Sequence, residues 1–278
     1  MTVHIVTDST SDMLQSEAER LGVTVVPLTV RFGEEELRDG VDIDATTFYA
    51  RLRTSKVNPA TSQPTPGDFG EVYRRLCAGP DDRVVSIHIS QKWSGTIQSA
   101  TLAAAEFDGR VVTVDSASVS AGLQFLVRAA RGDAERGCDV DEIVKNCTDR
   151  SARVRIWVML DTLTYLQRGG RIGKARALMG GVLNIKPVLQ LIDGEAHDRW
   201  KVRAPKQGME KMLEAAAGEG PLEQIALMCS HDHPLAAETE RRLSEMYPEL
   251  EIYSGELGPV VGTYGGPGSL GVAMLRAG

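Results

Sequence analysis

Val3-His4-Ile5-Val6-Thr7-Asp8-Ser9 decides the reading of the fold, because it is an apolar run of strand type that stops in a polar cluster. Residues 12–21, which follow, read as a helix with Asp and Ser as capping candidates, so the chain opens as strand, turn and helix. The same unit recurs at Val84-Val85-Ser86-Ile87-His88-Ile89 followed by residues 94–107, and again at Val111-Val112-Thr113-Val114-Asp115 followed by residues 118–136. In the last of these helices Leu123, Leu126, Val127 and Ala130 fall at i, i+3, i+4 and i+7, the spacing of one buried face. Strands alternating with helices imply a parallel sheet covered on both sides. The loops after its strands, carrying Asp8-Ser9-Thr10-Ser11, residues 90–94 and Asp115-Ser116, should then meet at the carboxyl edge, where open α/β sheets bind ligands.

Working outward, residues 23–32 and 36–41 read as two strands about Gly33, a hairpin at the sheet edge, and residues 140–152 as a helix. Val154-Arg155-Ile156-Trp157-Val158-Met159-Leu160 is another strand, and beyond it the style changes. Residues 188–192 and 196–202 flank Asp193-Gly194, a strong hairpin signal. A helix over 206–217, a strand over 224–229, a helix over 234–246 and a strand over 251–253 complete a second α/β unit. The expected organisation is α/β with two domains, residues 1–160 and 161–278.

The 278 residues are 42% apolar and 25% charged, enough for two modest cores. A net charge of −7 argues against nucleic acid as the main partner, since the mean field repels a polyanion. Cys77, Cys138, Cys147 and Cys229 are far apart with no Cys-x-x-Cys pair, which reads as reduced thiols in a cytoplasm and not as a structural zinc site. The start of the sequence runs straight into a strand with no export segment, and no window approaches the ~18 apolar residues of a membrane span. The expected location is the cytoplasm.

Three hydroxyl-and-glycine turns carry the candidate chemistry: Thr61-Ser62-Gln63-Pro64, Ser94-Gly95-Thr96 and Gly262-Thr263-Tyr264-Gly265-Gly266-Pro267-Gly268. Each places small donors where glycine or proline fixes the backbone, so that they could converge on one small anion. None contains a strong base, a metal-ligand set or a nucleotide loop, which points to a protein that holds something and has no catalytic residue or metal. His231-Asp232-His233 invites a metal reading, but Pro234 follows directly and suits the first turn of a helix. Gly169-Gly170-Arg171-Ile172-Gly173-Lys174 lacks the spacing that cradles a triphosphate, though its cations could meet an acidic partner or, transiently, an anionic membrane surface. Ser94 lies between a strand and a helix, as a hydrolase nucleophile would, but the Gly-x-Ser-x-Gly elbow is missing, and His88 is tied to its strand. Asp8, Asp115 and Asp161 near strand ends read equally as ligands or as helix caps.

Taken together, Val6-Thr7-Asp8-Ser9-Thr10-Ser11-Asp12, the three turns, Val114-Asp115-Ser116, Leu166-Gln167-Arg168-Gly169-Gly170-Arg171-Ile172 with Asn184-Ile185-Lys186-Pro187, and Gly258-Pro259-Val260-Val261-Gly262-Thr263 resemble, in order and spacing, the DegV family of bacterial fatty-acid-binding proteins. The resemblance implies a DegV-like fold, with a parallel-sheet N-terminal domain carrying the head-group turns and a mixed-sheet α/β domain carrying the acyl pocket. It implies a bound long-chain fatty acid of roughly C14–C18 as ligand, with no other cofactor, and a separate fatty acid kinase that phosphorylates the carboxylate with ATP for phospholipid metabolism. Head-group positions map onto Thr61 and Ser94, with Ser62, Gly95, Thr96 and Thr263 beside them. Where the family reads Gly-Thr-His-x-Gly-Pro-Gly this chain has Tyr264, a phenol that cannot carry the charge of a protonated imidazole. Arg171 and Arg203 are expected to face the partner. The alternatives are a carrier of another amphiphile or small acid, and a hydrolase built on Ser94. Leu160, Leu163, Leu166, Ile172, Leu178, Met179, Val182, Leu183 and Ile185 are the aliphatic candidates for core or tail channel.

Overall fold

The computed structural model describes residues 2–178 and 185–278. In chain order its elements are β1 (Val3–Asp8), α1 (Gln15–Leu21), β2 (Val23–Val26), β3 (Thr29–Phe32), β4 (Glu35–Arg38), α2 (Ala45–Thr54), β5 (Ala60–Ser62), α3 (Pro66–Leu76), β6 (Arg83–His88), α4 (Thr96–Ala104), β7 (Val111–Asp115), α5 (Ala121–Glu135) and α6 (Val140–Ser151). Then come β8 (Val154–Met159), α7 (Thr164–Arg168), β9 (Lys186–Ile192), β10 (Glu195–Val202), α8 (Pro205–Ala217), β11 (Leu222–Cys229), α9 (Ala236–Met246), β12 (Ile252–Glu256), α10 (Pro259–Gly265) and β13 (Leu270–Arg276).

The recurring strand-turn-helix units form an all-parallel sheet in the order β2-β1-β6-β7. Its strand order reverses between β1 and β6, the switch point at whose carboxyl end ligands bind in such sheets. Helices cover both faces. Leu123, Leu126, Val127 and Ala130 of α5 pack on Ile5, Val85 and Ile87, while α3 and α4 cover the other side through Phe69, Tyr73, Ala100 and Ala103. The boundaries of α3 and α6 follow from capping boxes at Thr65/Asp68 and Asp139/Glu142. The strand expected over residues 23–32 is two strands: β2 joins the parallel sheet beside β1, while β3, with β4 across Gly33, pairs with β5 in the order β4-β3-β5.

A second, mixed sheet runs β10-β9-β8-β13-β11-β12, with only β11 and β12 parallel. The Asp193-Gly194 hairpin forms as expected from its dipeptide, both residues holding positive φ. One face of this sheet, through Trp157, Met159 and Val272, packs on Met209, Met212 and Leu213 of α8 and Leu243 of α9. Residue 160 falls just after β8, and β8 is already a member of this sheet, which therefore begins at Val154.

Three local readings differ from the structure. Residues 12–21 are not one helix: Asp12 takes a left-handed conformation at φ 53 and turns its carboxylate inward, so that α1 starts only at Gln15. Thr61-Ser62 is not a turn but the strand β5, paired with Val30 and Thr29. The glycine-rich segment after Gly258 begins as the helix α10, set by Gly258 at the N-cap and Pro259 in the first turn, and turns only at Gly266, where φ is 75. The central strand β13 and the helices α2, α3, α7 and α10 had no counterpart in the sequence reading.

Candidate functional site

Between the face of the mixed sheet away from α8 and α9, which α5 partly covers, and the carboxyl edge of the parallel sheet lies a cavity of about 350 Å³, within the usual range for small-molecule sites of roughly 300–1,000 Å³. Its floor follows from strand register. On β8 the side chains of Ile156, Val158 and Leu160 alternate with Trp157 and Met159, which point to the opposite core. Leu191 and Ala273 flank Ile156 on the neighbouring strands, while Leu189 and Gly271 flank Val158. All of these line the cavity. Because β13 lines the cavity only with Gly271 and Ala273, the sheet carries a shallow depression along its central strand. Leu160 to Ile156 is about 13 Å of strand at ~3.3 Å per residue.

The polar wall comes from three other places. Thr61 and Ser62 enter from β5, Ser94 from the loop before α4, and Tyr264 from the last turn of α10, with Val260 one turn earlier on the same helix face. The Thr61 and Tyr264 hydroxyls are 2.5 Å apart, a contact between residues distant in sequence. Ser94 Oγ hydrogen-bonds Thr96 Oγ1 at 2.8 Å and accepts from the Thr96 amide at 3.3 Å. Gln63 Nε2 donates to Gly95 O at 3.1 Å and to Ser99 Oγ at 2.9 Å, fastening β5 to α4. Position 95 must be glycine for this, since a Cβ there would sit 2.2 Å from Gln63 Oε1.

Arg171 lies over the Tyr264 ring, 5.2 Å from its centroid, and lines the same cavity. Its guanidinium donates to Trp93 O at 3.0 Å and to Gly169 O at 2.8 Å. The Tyr264 ring fills the space above Gly169, where a Cβ would approach it to 2.3 Å. Trp93 Nε1 and Ser90 Oγ both donate to Gly194 O, at 2.5 and 3.2 Å, and so tie the parallel-sheet loop to the β9–β10 hairpin across the cavity.

Of the residues singled out from sequence, Thr61, Ser62, Ser94, Tyr264 and Arg171 meet at one wall. Gly95 and Thr96 support Ser94 from behind. Thr263 points away, donating to Pro259 O within its own helix at 2.9 Å. Arg203 is exposed at the β10–α8 junction and does not line the cavity. Among the aliphatic candidates Leu160 and Leu166 line it, Ile172 and Leu178 are buried beside it, and Leu163 packs against them. Met179, Val182, Leu183 and Asn184 lie outside the described residues. Gln63, Trp93 and Thr10 were not singled out as site residues, although Gln63 stood inside a quoted motif and Thr10 and Trp93 inside the loops expected at the ligand-binding edge.

Two buried polar groups set the geometry from behind. In the first, Tyr73 OH donates to Ser86 Oγ at 2.8 Å, Ser86 meets His88 Nε2 at 2.7 Å, and His88 Nδ1 meets Asp8 Oδ2 at 2.9 Å. Asp8 also accepts from the Ile89 amide at 3.1 Å and from the Thr10 amide at 3.0 Å, placing Ile89 and Thr10 on the cavity wall. This serine, histidine and aspartate are fully buried, and Ser94 is not among their partners. In the second, Asp12 accepts from Gly258 N at 2.9 Å and from Ser120 Oγ at 2.5 Å, anchoring the start of α10. Burial pushes Asp12 well above the usual carboxylate range, against those two hydrogen bonds. Burial likewise pushes Asp39 up to about 7, with Ser9 and the Val260 amide opposing it and Asp8 adding repulsion. Among the described residues Asp39 Oδ2 has no partner.

His231 Nδ1 meets Glu256 Oε1 at 2.8 Å, and His233 Nδ1 accepts from the Leu235 amide at 3.2 Å. Among the described residues no group of three or more His, Cys, Asp or Glu could hold a metal ion. No described helix is long and apolar enough to cross a membrane.

The model of a family described as "Uncharacterised protein, DegV family" matches residues 2–277. The chain belongs to the DegV family. A DegV domain-containing protein of Streptomyces coelicolor is 38% identical over 276 residues, covering 98% of each chain. Among solved structures, one described as fatty acid binding of a DegV family protein from Thermus thermophilus superposes with a TM-score of 0.92 at 36% identity, covering 100% of both chains. DegV of Bacillus subtilis, described as a fatty acid binding protein, superposes at 0.90 with 31% identity and the same coverage. The expected α/β architecture, a parallel sheet and a separate mixed sheet, is thus that of known DegV structures.

Proposed function

We propose that this DegV protein carries one long-chain fatty acid in the cavity over β13 and holds its carboxylate at the wall formed by Thr61, Ser62, Ser94 and Tyr264. The observation that carries this reading is the division of one cavity into an aliphatic floor and a wall of hydroxyls drawn from three distant segments. Burying a tail of fourteen to sixteen carbons at ~0.8 kcal/mol per methylene contributes on the order of 10 kcal/mol before ordering costs. The wall then has only to replace the carboxylate's water, and hydroxyl donors to a charged group contribute roughly 1.5–3 kcal/mol each. Both proposed domains, residues 1–160 and 161–278, contribute to each part: Thr61, Ser62 and Ser94 meet Tyr264 at the wall, and Ile156, Val158 and Leu160 join Leu189, Leu191 and Ala273 in the floor. The fatty acid binding reported for the Thermus thermophilus and Bacillus subtilis relatives supports the same ligand class.

On this reading the chain transforms nothing itself and works in the cytoplasm, offering the carboxylate to a separate fatty acid kinase. Arg171 favours such a hand-over. Two of its donors are engaged by backbone carbonyls, so it lends positive charge near Tyr264 without a bidentate clamp, leaving a carboxylate oxygen free to attack ATP. Its exposed flank and Arg203 are the proposed contacts for that partner. Calorimetric titration with palmitic acid tests the site. Ser94→Ala and Thr61→Ala should each weaken binding roughly 10- to 100-fold, for the loss of one hydrogen bond to a charged group. Unchanged affinity in both variants contradicts the head-group assignment.

A further inference from the structure

A second cavity, of about 530 Å³, lies behind the first, bounded by the Ser118 loop, the end of α6 and the outer parts of β8 and β9. The two cavities share two lining residues, Ile156 and Leu191. These are direct register partners across the β8–β9 ladder, so their side chains stand side by side on one face of the sheet. Each is only half-buried although its strand is internal, as expected of side chains with open space on both flanks. Ile156 also leans on α5, its Cδ1 lying 2.7 Å from where a Cβ on Gly122 would be. Beyond the pair the chemistry changes. The side chains of Thr148, Ser151 and Asp193 line the second cavity along with Val154 and Ile192, and the buried Ser118 Oγ beside them has no partner among the described residues.

We propose that Ile156 and Leu191 form the partition that stops the distal end of the acyl chain, and so set the chain length this protein accepts. The inference rests on the fatty-acid reading above. A hydrocarbon end that reached the polar compartment would lose the transfer gain that holds it in the first cavity, whereas each methylene seated on the apolar side adds about fourfold in affinity. The length preference is therefore fixed by where the partition stands, not by the total space within the fold.

Competition titrations with saturated acids of increasing length, on the full chain, test this. Leu191→Ala moves the partition outward and should shift the preferred length upward by about two carbons. Ile156→Phe moves it inward and should shift the preference downward. Ile156→Phe removes no side-chain volume and keeps the test decisive should Leu191→Ala fold poorly. An unchanged length preference in Ile156→Phe, with palmitate still bound, overturns the partition. A wild-type protein that binds no acid of any length overturns the fatty-acid reading instead.

Discussion

Asp39 shows how much of this molecule is decided by single buried groups. Its carboxyl is buried beside Asp8 and Asp12, with one oxygen unpartnered, and burial pushes it up to about 7. In the unfolded chain an aspartate releases its proton near pH 4. Between those values the native state keeps a proton that the unfolded state has lost, so stability declines as pH rises from about 4 through 7 and levels off above. Asp39→Asn removes that dependence. Chemical denaturation of both proteins should show the variant gaining on the wild type by a few kcal/mol more at pH 8 than at pH 5. An equal difference at both pH values would mean that Asp39 is already ionised at pH 5. Asp12 itself was read from sequence as part of a helix, and nothing local could have revealed otherwise. Its partners are Ser120 and Gly258, brought to it only by the fold.

At the scale of elements, legibility followed the range of the interactions. The units ending at Asp8, Ile89 and Asp115 could be read because alternation of strand and helix and the spacing of α5 are local patterns. β13 could not, for it is a nearly continuous buried run, Leu270–Arg276, that shows no period and pairs with β8 and β11 from far along the chain. Yet β13 makes the cavity, since Gly271 and Ala273 leave its inner face low. A Cβ at Gly271 would make only ordinary contacts, with Trp157 O at 3.4 Å and Val158 Cβ at 3.7 Å, so a larger side chain fits the strand and rises into the tail space. Gly271→Leu should leave the unfolding midpoint at or above that of the wild type and weaken palmitate binding roughly 50-fold, the loss of about three seated methylenes. Wild-type affinity in that variant would place the tail elsewhere. The hydroxyl turns were legible as a set of donors, but their convergence, with Tyr264 against Thr61 and under Arg171, depends on α10, which sequence reading took for a turn.

For the whole molecule, two sheets of different type enclose one space, each doing what its topology favours. The parallel sheet offers loops at its switch point for Thr10, Ile89 and Ser94, and the mixed sheet offers an aliphatic face. Hydrogen bonds hold the two together: Trp93 and Ser90 on Gly194 O, Asp12 on Gly258, and Glu17 on Tyr253, whose hydroxyl lies 3.1 Å away. A long tail seated on this aliphatic floor would hold the cargo through purification. Denaturing extraction of the purified protein, followed by mass spectrometry of the released lipid, tests this most directly. About one equivalent of a long-chain fatty acid per chain is expected; a lipid-free protein that also takes up no added palmitate would contradict the account.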